Sequence, residues 1–149
     1  MPNRVRIEKH QSEKEAQETL IRNFWNSLIN ERNVSKWQAL SHENITFQGS
    51  LATRIWEGYE GIIEYAPLMF NRFDDFSLQV GEMITEGNKT AVELTFSGLN
   101  TAGLFGSPPC GKRVTYNAVG IITVEDGKIA KVRVTGNVIQ IMEQMGHQV

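Results

Sequence analysis

Apolar side chains recur every four residues at Ala16, Leu20, Phe24 and Leu28, with Ile21 and Trp25 beside them. That spacing predicts an amphipathic helix with one broad apolar face. Ser12 followed by Glu15 has capping-box spacing and places its start, which leaves the polar residues 1–11 as an extended or frayed flexible arm. A short second helix is expected around Ser35 to Leu40 and a short strand at Ile45 to Gln48. A third helix is expected from about Tyr59 to Phe70, kinked or restarted at Pro67, which lacks an amide hydrogen and crowds the preceding turn.

From Phe76 onward the period falls to two. Phe76 to Val80 alternates, Glu86-Gly-Asn-Lys89 turns the chain, and Thr90 to Ser97 alternates again. Ser107-Pro-Pro-Cys-Gly111 reads as a loop fixed by its prolines. Arg113 to Val124 is a long strand, Asp126-Gly127 a tight-hairpin signal, and Lys128 to Thr135 the last strand. Val138 to Met145 closes the chain as a helical turn. Helices first and an antiparallel meander after is an α+β order. A long curved sheet wrapped against the first helix would make a cone with an open end and a pocket inside.

Composition narrows the setting. The 149 residues suit one domain, with 12–149 as its body. They are 40% apolar and 21% charged, as in a globular protein and not a disordered one. The net charge of −2 comes without any basic block, so no footing for nucleic acid is expected. No apolar run approaches the ~20 residues of a bilayer span. The first residues carry no signal-peptide core, and Cys110 has no cysteine to pair with, so a reducing, cytoplasmic location is expected.

One ordered set of motifs adds a family. Glu86-Gly-Asn-Lys-Thr-Ala-Val92, Gly98, Gly106-Ser-Pro-Pro-Cys-Gly-Lys112, Glu125-Asp-Gly-Lys-Ile129 and Glu143-Gln-Met-Gly146 follow each other at characteristic spacing. Over roughly residues 15–146 the chain resembles the SnoaL-like polyketide cyclases, with Cys110 in the place of the loop threonine. The resemblance implies the nuclear transport factor two fold. This is an α+β barrel of cystatin-like type, its curved antiparallel or mixed sheet packed on a long N-terminal helix and two shorter ones. It also implies a cofactor-free intramolecular aldol cyclisation of a polyketide, a small apolar or aromatic ligand, and a homodimer or homotetramer formed through the sheet.

At the chemistry the sequence departs from that pattern. The family's catalytic aspartate falls ten residues after Gly127, at Asn137, and a carboxamide cannot take up a proton near neutral pH. Loss of a positioned base costs about 10² to 10⁴ in rate. The family's Thr-His pair is Leu99-Asn100, and a histidine often found after the first strand corresponds to about Gln48. The resemblance therefore places a neutral hydrogen-bonding site at Gln48, Asn100 and Asn137, with Asn137 in the catalytic position. Trp25, Phe47 and Tyr116 are expected beside them in the pocket, although packing alone also accounts for the aromatic residues.

Glu93 shares a strand face with Thr95 and Ser97, and Arg133 with Lys131 and Thr135. Both are expected on the outer sheet face as a surface or interface pair. Cys110 has no histidine nearby in sequence to activate it, and His10, His42 and His147 lack metal-ligand spacing, so no metal or cofactor is expected. Two functions follow. One is a cyclase-like enzyme, lyase or isomerase that stabilises an enolate by hydrogen bonds. The other is a non-catalytic ligand-binding or assembly module.

Overall fold

The structure is a computed structural model, and residues 4–51 and 53–147 are described. Helix α1 runs from Arg4 to Trp25 and continues as a π-helical turn, Asn26–Asn30. Helical hydrogen bonding therefore extends upstream of Ser12, and residues 4–11 are helix where an extended or frayed arm was expected. They are exposed, as is Ala16; burial begins at Ile21. Residues 1–3 lie outside the described part of the chain. Helix α2, Val34–Ala39, is capped by the Asn33 side chain, which accepts from the Lys36 amide at 3.1 Å.

Strand β1 spans Ser41–Gln48, longer at its start than its apolar residues suggest, because Ser41 is held by sheet pairing with Ile129. The short β2, Trp56–Glu57, leads into α3, Gly58–Phe70. Pro67 sits in the last turn of α3 without ending it, at the cost of its own amide hydrogen bond to the preceding turn. Four strands follow: β3 Phe73–Glu86, β4 Lys89–Asn100, β5 Arg113–Glu125 and β6 Lys128–Gly136. Helix α4, Val138–Gln144, comes last. The turn from β5 to β6 has Asp126 and Gly127 at φ 50° and 74°, the left-handed pair that a two-residue hairpin requires.

All six strands form one mixed sheet in the order β2-β1-β6-β5-β4-β3. Only β1 and β6 run parallel; the other neighbours are antiparallel. Two register shifts in β3 and one between β5 and β6 bend the long strands, as bulges do. The inner face carries Val92, Leu94, Phe96, Val114, Tyr116, Ala118, Val132 and Val134, and α1 and α3 close over it. Asn30 clamps the π turn to β3, donating to the Leu78 carbonyl at 2.9 Å and accepting from its amide at 2.8 Å. At its other end α1 is tied to the β3–β4 hairpin by Gln17, which donates to Thr90 Oγ1 at 3.0 Å. Glu93 and Arg133 are exposed on the outer face, as the alternation predicts. They face Val119 and Ile121 of the intervening strand, so one strand separates them and they form no ion pair.

Candidate functional site

The side chains converging inside the cone are aromatic. Phe73, Phe76, Phe96 and Tyr116 come from three adjacent strands and stack in succession, with centroids 5.3, 5.5 and 5.1 Å apart. Trp25 of α1 meets Phe47 at 6.0 Å and Phe96 at 6.5 Å. None of these six is more than 4% exposed. The void left among their rings is about 10 Å³, room for about one water and for no ring system. The expected hollow is therefore closed by its own aromatic side chains.

Ring-sized space lies one layer further out. A cavity of about 260 Å³ is lined chiefly by Arg54, Trp56, Tyr65, Leu68, Met69 and Arg72. Tyr65 and Met69 line both this mouth and the inner void, so they form the partition. Local structure explains the arrangement. Trp56 is placed by pairing with Phe47, and Gly58, at φ 71°, turns the chain into α3. There Tyr65, Leu68 and Met69 follow at helical spacing, so they share a face. Gly49 makes room for the phenol: a Cβ there would sit 1.8 Å from the Tyr65 hydroxyl oxygen.

The polar groups in this region are mostly donors. Tyr116 and Ser50 share a hydrogen bond of 2.8 Å. The indole N–H groups of Trp25 and Trp56 are buried and have no acceptor among the described residues. A buried donor left unpaired costs about 1–3 kcal/mol. An acceptor brought in by a ligand would recover part of that cost. Among the described residues no Asp, Glu or His lines the void or its mouth. Nor do three metal-binding side chains converge anywhere among them.

Burial pushes both phenols above the ordinary tyrosine range. The Ser50 hydrogen bond draws Tyr116 part of the way back, and the Arg72 guanidinium does the same for Tyr65. Both are therefore neutral donors at physiological pH. Because the folded state holds these protons more tightly than the unfolded chain, stability is fully present below about pH 10 and is lost as pH rises above it. Urea unfolding between pH 8 and 11 should show this decline, and Tyr65→Phe and Tyr116→Phe should each flatten it. An unchanged slope in both variants would contradict the buried-phenol assignment.

Of the residues singled out from sequence, Trp25, Phe47 and Tyr116 meet inside the cone. The other three do not join them. Gln48 alternates with Phe47, so its side chain points to the opposite sheet face, beside Arg133. Asn100 is fully buried but serves the β4–β5 connection, accepting from the Cys110 amide at 3.1 Å and donating to the Arg72 carbonyl at 3.5 Å. Asn137 is exposed and caps α4, its side chain accepting from the Gln140 amide at 3.3 Å. It borders an open groove of about 530 Å³ on the outer face, with Glu93, Asn117 and Val119. Sequence reading missed Ser50, Arg54, Tyr65 and Arg72. Of these only Tyr65 had a signal, since it lies on the α3 face of Ile62 and Met69.

Residues 19–145 match the family of SnoaL-like polyketide cyclases. Solved structures share the fold at low identity. TsrD from Streptomyces laurentii is 23% identical, with 89% of this chain and 96% of that chain covered and a TM-score of 0.72. A SnoaL-like polyketide cyclase candidate from Jannaschia sp. CCS1 is 17% identical, covering 91% and 94%, with a TM-score of 0.76. IdmH from Streptomyces antibioticus, a candidate polyketide cyclase, is 15% identical, covering 88% and 99%, with a TM-score of 0.74. No curated protein matches the chain significantly. Among the described residues no helix is long and apolar enough to cross a membrane. With the matched segment spanning most of its length and the cone built as the motifs predict, the chain belongs to the SnoaL-like polyketide cyclase family.

Proposed function

We propose that the chain binds a small ring-bearing carbonyl compound at the mouth of the cone, with the Tyr65 phenol as hydrogen-bond donor to its carbonyl oxygen. One observation carries this reading. Tyr65 is a neutral phenol, and it separates a ring-sized cavity from an apolar interior. In such surroundings a fixed donor stabilises developing negative charge far better than water does. The supported chemistry is enolate formation. A proton leaves the carbon next to the carbonyl for water or a basic group of the substrate, and the bonding pair moves onto the oxygen that faces Tyr65. In a cyclisation the enolate carbon then attacks a second carbonyl carbon, and the resulting alkoxide takes up a proton. IdmH and the Jannaschia protein, both candidate polyketide cyclases on this fold, support a cyclisation. Asn137, in the family's aspartate position by sequence, has only its capping role in this account.

A second reading, ligand binding without turnover, is favoured by the lack of any carboxylate or imidazole among the described lining residues. Self-association into a dimer or tetramer fits either reading. The outer sheet face, where Val119 and Ile84 are exposed near Glu93, supports it best.

Exchange of the α-hydrogens of 2-tetralone in deuterated buffer, followed by NMR, separates the alternatives. The enzymatic reading predicts accelerated exchange that falls about 100-fold in Tyr65→Phe, as loss of one oxyanion donor does. Asn137→Asp should leave the rate unchanged. Binding without acceleration would leave the binding module, and no binding at all would remove the site.

A further inference from the structure

The mouth of the cone carries two cations and no described anion. Arg54 and Arg72 line the same cavity of about 260 Å³ as Trp56 and Tyr65. Neither guanidinium has a carboxylate within ion-pair distance among the described residues, whereas Arg4 and Arg113 do. The two are differently held. The exposed Arg54 holds its guanidinium carbon over the Trp56 ring, 3.8 Å from the centroid, a cation–π contact that tethers it at the mouth. Arg72 follows α3 directly, its amide bonded to the Met69 carbonyl at 3.1 Å and its own carbonyl accepting from Asn100 at 3.5 Å. Its charge is felt at Tyr65. Trp56 is 7% exposed, and its buried indole N–H has no acceptor among the described residues. Around these donors the remaining wall is Thr53 with Leu51, Leu68 and Met69, the last three giving apolar surface for a flat ring.

We infer that the mouth is a carboxylate subsite: the ligand is a planar ring acid whose carboxylate is held by Arg54 and Arg72. This rests on the ring-binding reading above and adds the charge of the ligand to it. The preference for carboxylate over a bulkier anion follows from geometry. A guanidinium offers parallel N–H donors that match two coplanar oxygens, and Arg54 is tethered at the mouth by its contact with Trp56. With the acid anchored at the mouth, the far side of the ring faces Tyr65, and beyond it the filled interior. The reacting carbonyl would therefore lie on the opposite side of the ligand from its carboxylate.

The test uses the intact chain and three probes of one ring system: 1-naphthylacetate, its neutral isostere 1-naphthylacetamide, and 1-naphthyl phosphate. Binding is read by probe fluorescence at low and moderate salt. The expected result is that the acid binds about tenfold more tightly than the amide, as charge-assisted pairing allows, with the preference shrinking as salt rises. Arg54→Gln and Arg72→Gln should each remove most of that preference while changing amide affinity no more than about twofold. Equal affinity of acid and amide in the unaltered protein would overturn the carboxylate subsite and leave the ring site standing. Tighter binding of the phosphate than of the acetate would overturn the choice of anion. Failure of all three to bind would overturn the subsite together with the reading beneath it. Should either glutamine variant fold poorly, Arg→Lys at the same position keeps the charge but not the fork, and is expected to retain about half of the preference in free energy.

Discussion

Phe96→Ala should destabilise the protein by about 3–5 kcal/mol and lower its Tm by about 10 °C. Phe96 stacks between Phe76 at 5.5 Å and Tyr116 at 5.1 Å, and the edge of Trp25 closes on it from α1. Three strands and the long helix thus share one ring, which is 3% exposed. Its removal leaves a cavity lined by rigid rings that cannot collapse far, and incomplete collapse is what makes large-to-small changes costly. The loss is a large part of the 5–15 kcal/mol that holds an ordinary domain together. Urea denaturation of the two proteins measures it. A drop below about 1 kcal/mol would mean that the interior is looser than the stacking indicates. The same variant opens ring-sized space deeper in the cone, so a gain in affinity for a neutral ring such as naphthalene is expected despite the loss of stability.

The second large effect is expected at Gly136. A Cβ there would stand 2.6 Å from the Ser50 carbonyl oxygen, a backbone atom that cannot swing away. The same oxygen accepts from the Gly136 amide at 3.1 Å, and the Ser50 hydroxyl pairs with Tyr116. Gly136→Ala must push the 49–51 segment off the end of β6, breaking the backbone bond and moving Ser50 away from the phenol. A cost of about 1–3 kcal/mol is expected from overpacking, with about 1 kcal/mol more for the lost hydrogen bond. Ser50→Ala provides the comparison, since it deletes the hydroxyl and spares the backbone. Gly136→Ala should be clearly the more damaging of the two by urea unfolding. The reverse order would show that the close approach of Ser50 to β6 is dispensable.

Much of the fold could be read from the pattern of apolar residues. The alternation from Phe76 onward, Asp126-Gly127 and the four-residue period of α1 are local signals, and each marks an element that the structure contains. At the first strand a non-local partner decided. Strand β1 begins at Ser41 because β6 offers it a partner, which the polar run Ser41 to Asn44 does not announce. The site was less legible. Motif spacing put Asn137 in the catalytic position, but the chain leaves β6 just before it, and the side chain is used to cap α4. Strand alternation carried Phe47 inward and so carried its neighbour Gln48 outward. Asn100 is buried as a binding residue would be, yet its side-chain hydrogen bonds are spent on the Cys110 amide of the loop that follows and on the Arg72 carbonyl.

The sequence by itself determined the α+β order of elements, the family and the faces of the long strands. These follow from period, turn chemistry and motif spacing, all of which act over a few residues. Only the tertiary structure decided that aromatic rings fill the cone, that Tyr65 divides interior from mouth, and that Arg54 and Arg72 share one cavity. Those facts depend on side-chain volume and on where distant segments come to rest against each other. Gly49 shows the reason plainly: its role is to leave space for a phenol sixteen residues away, and no local pattern encodes that.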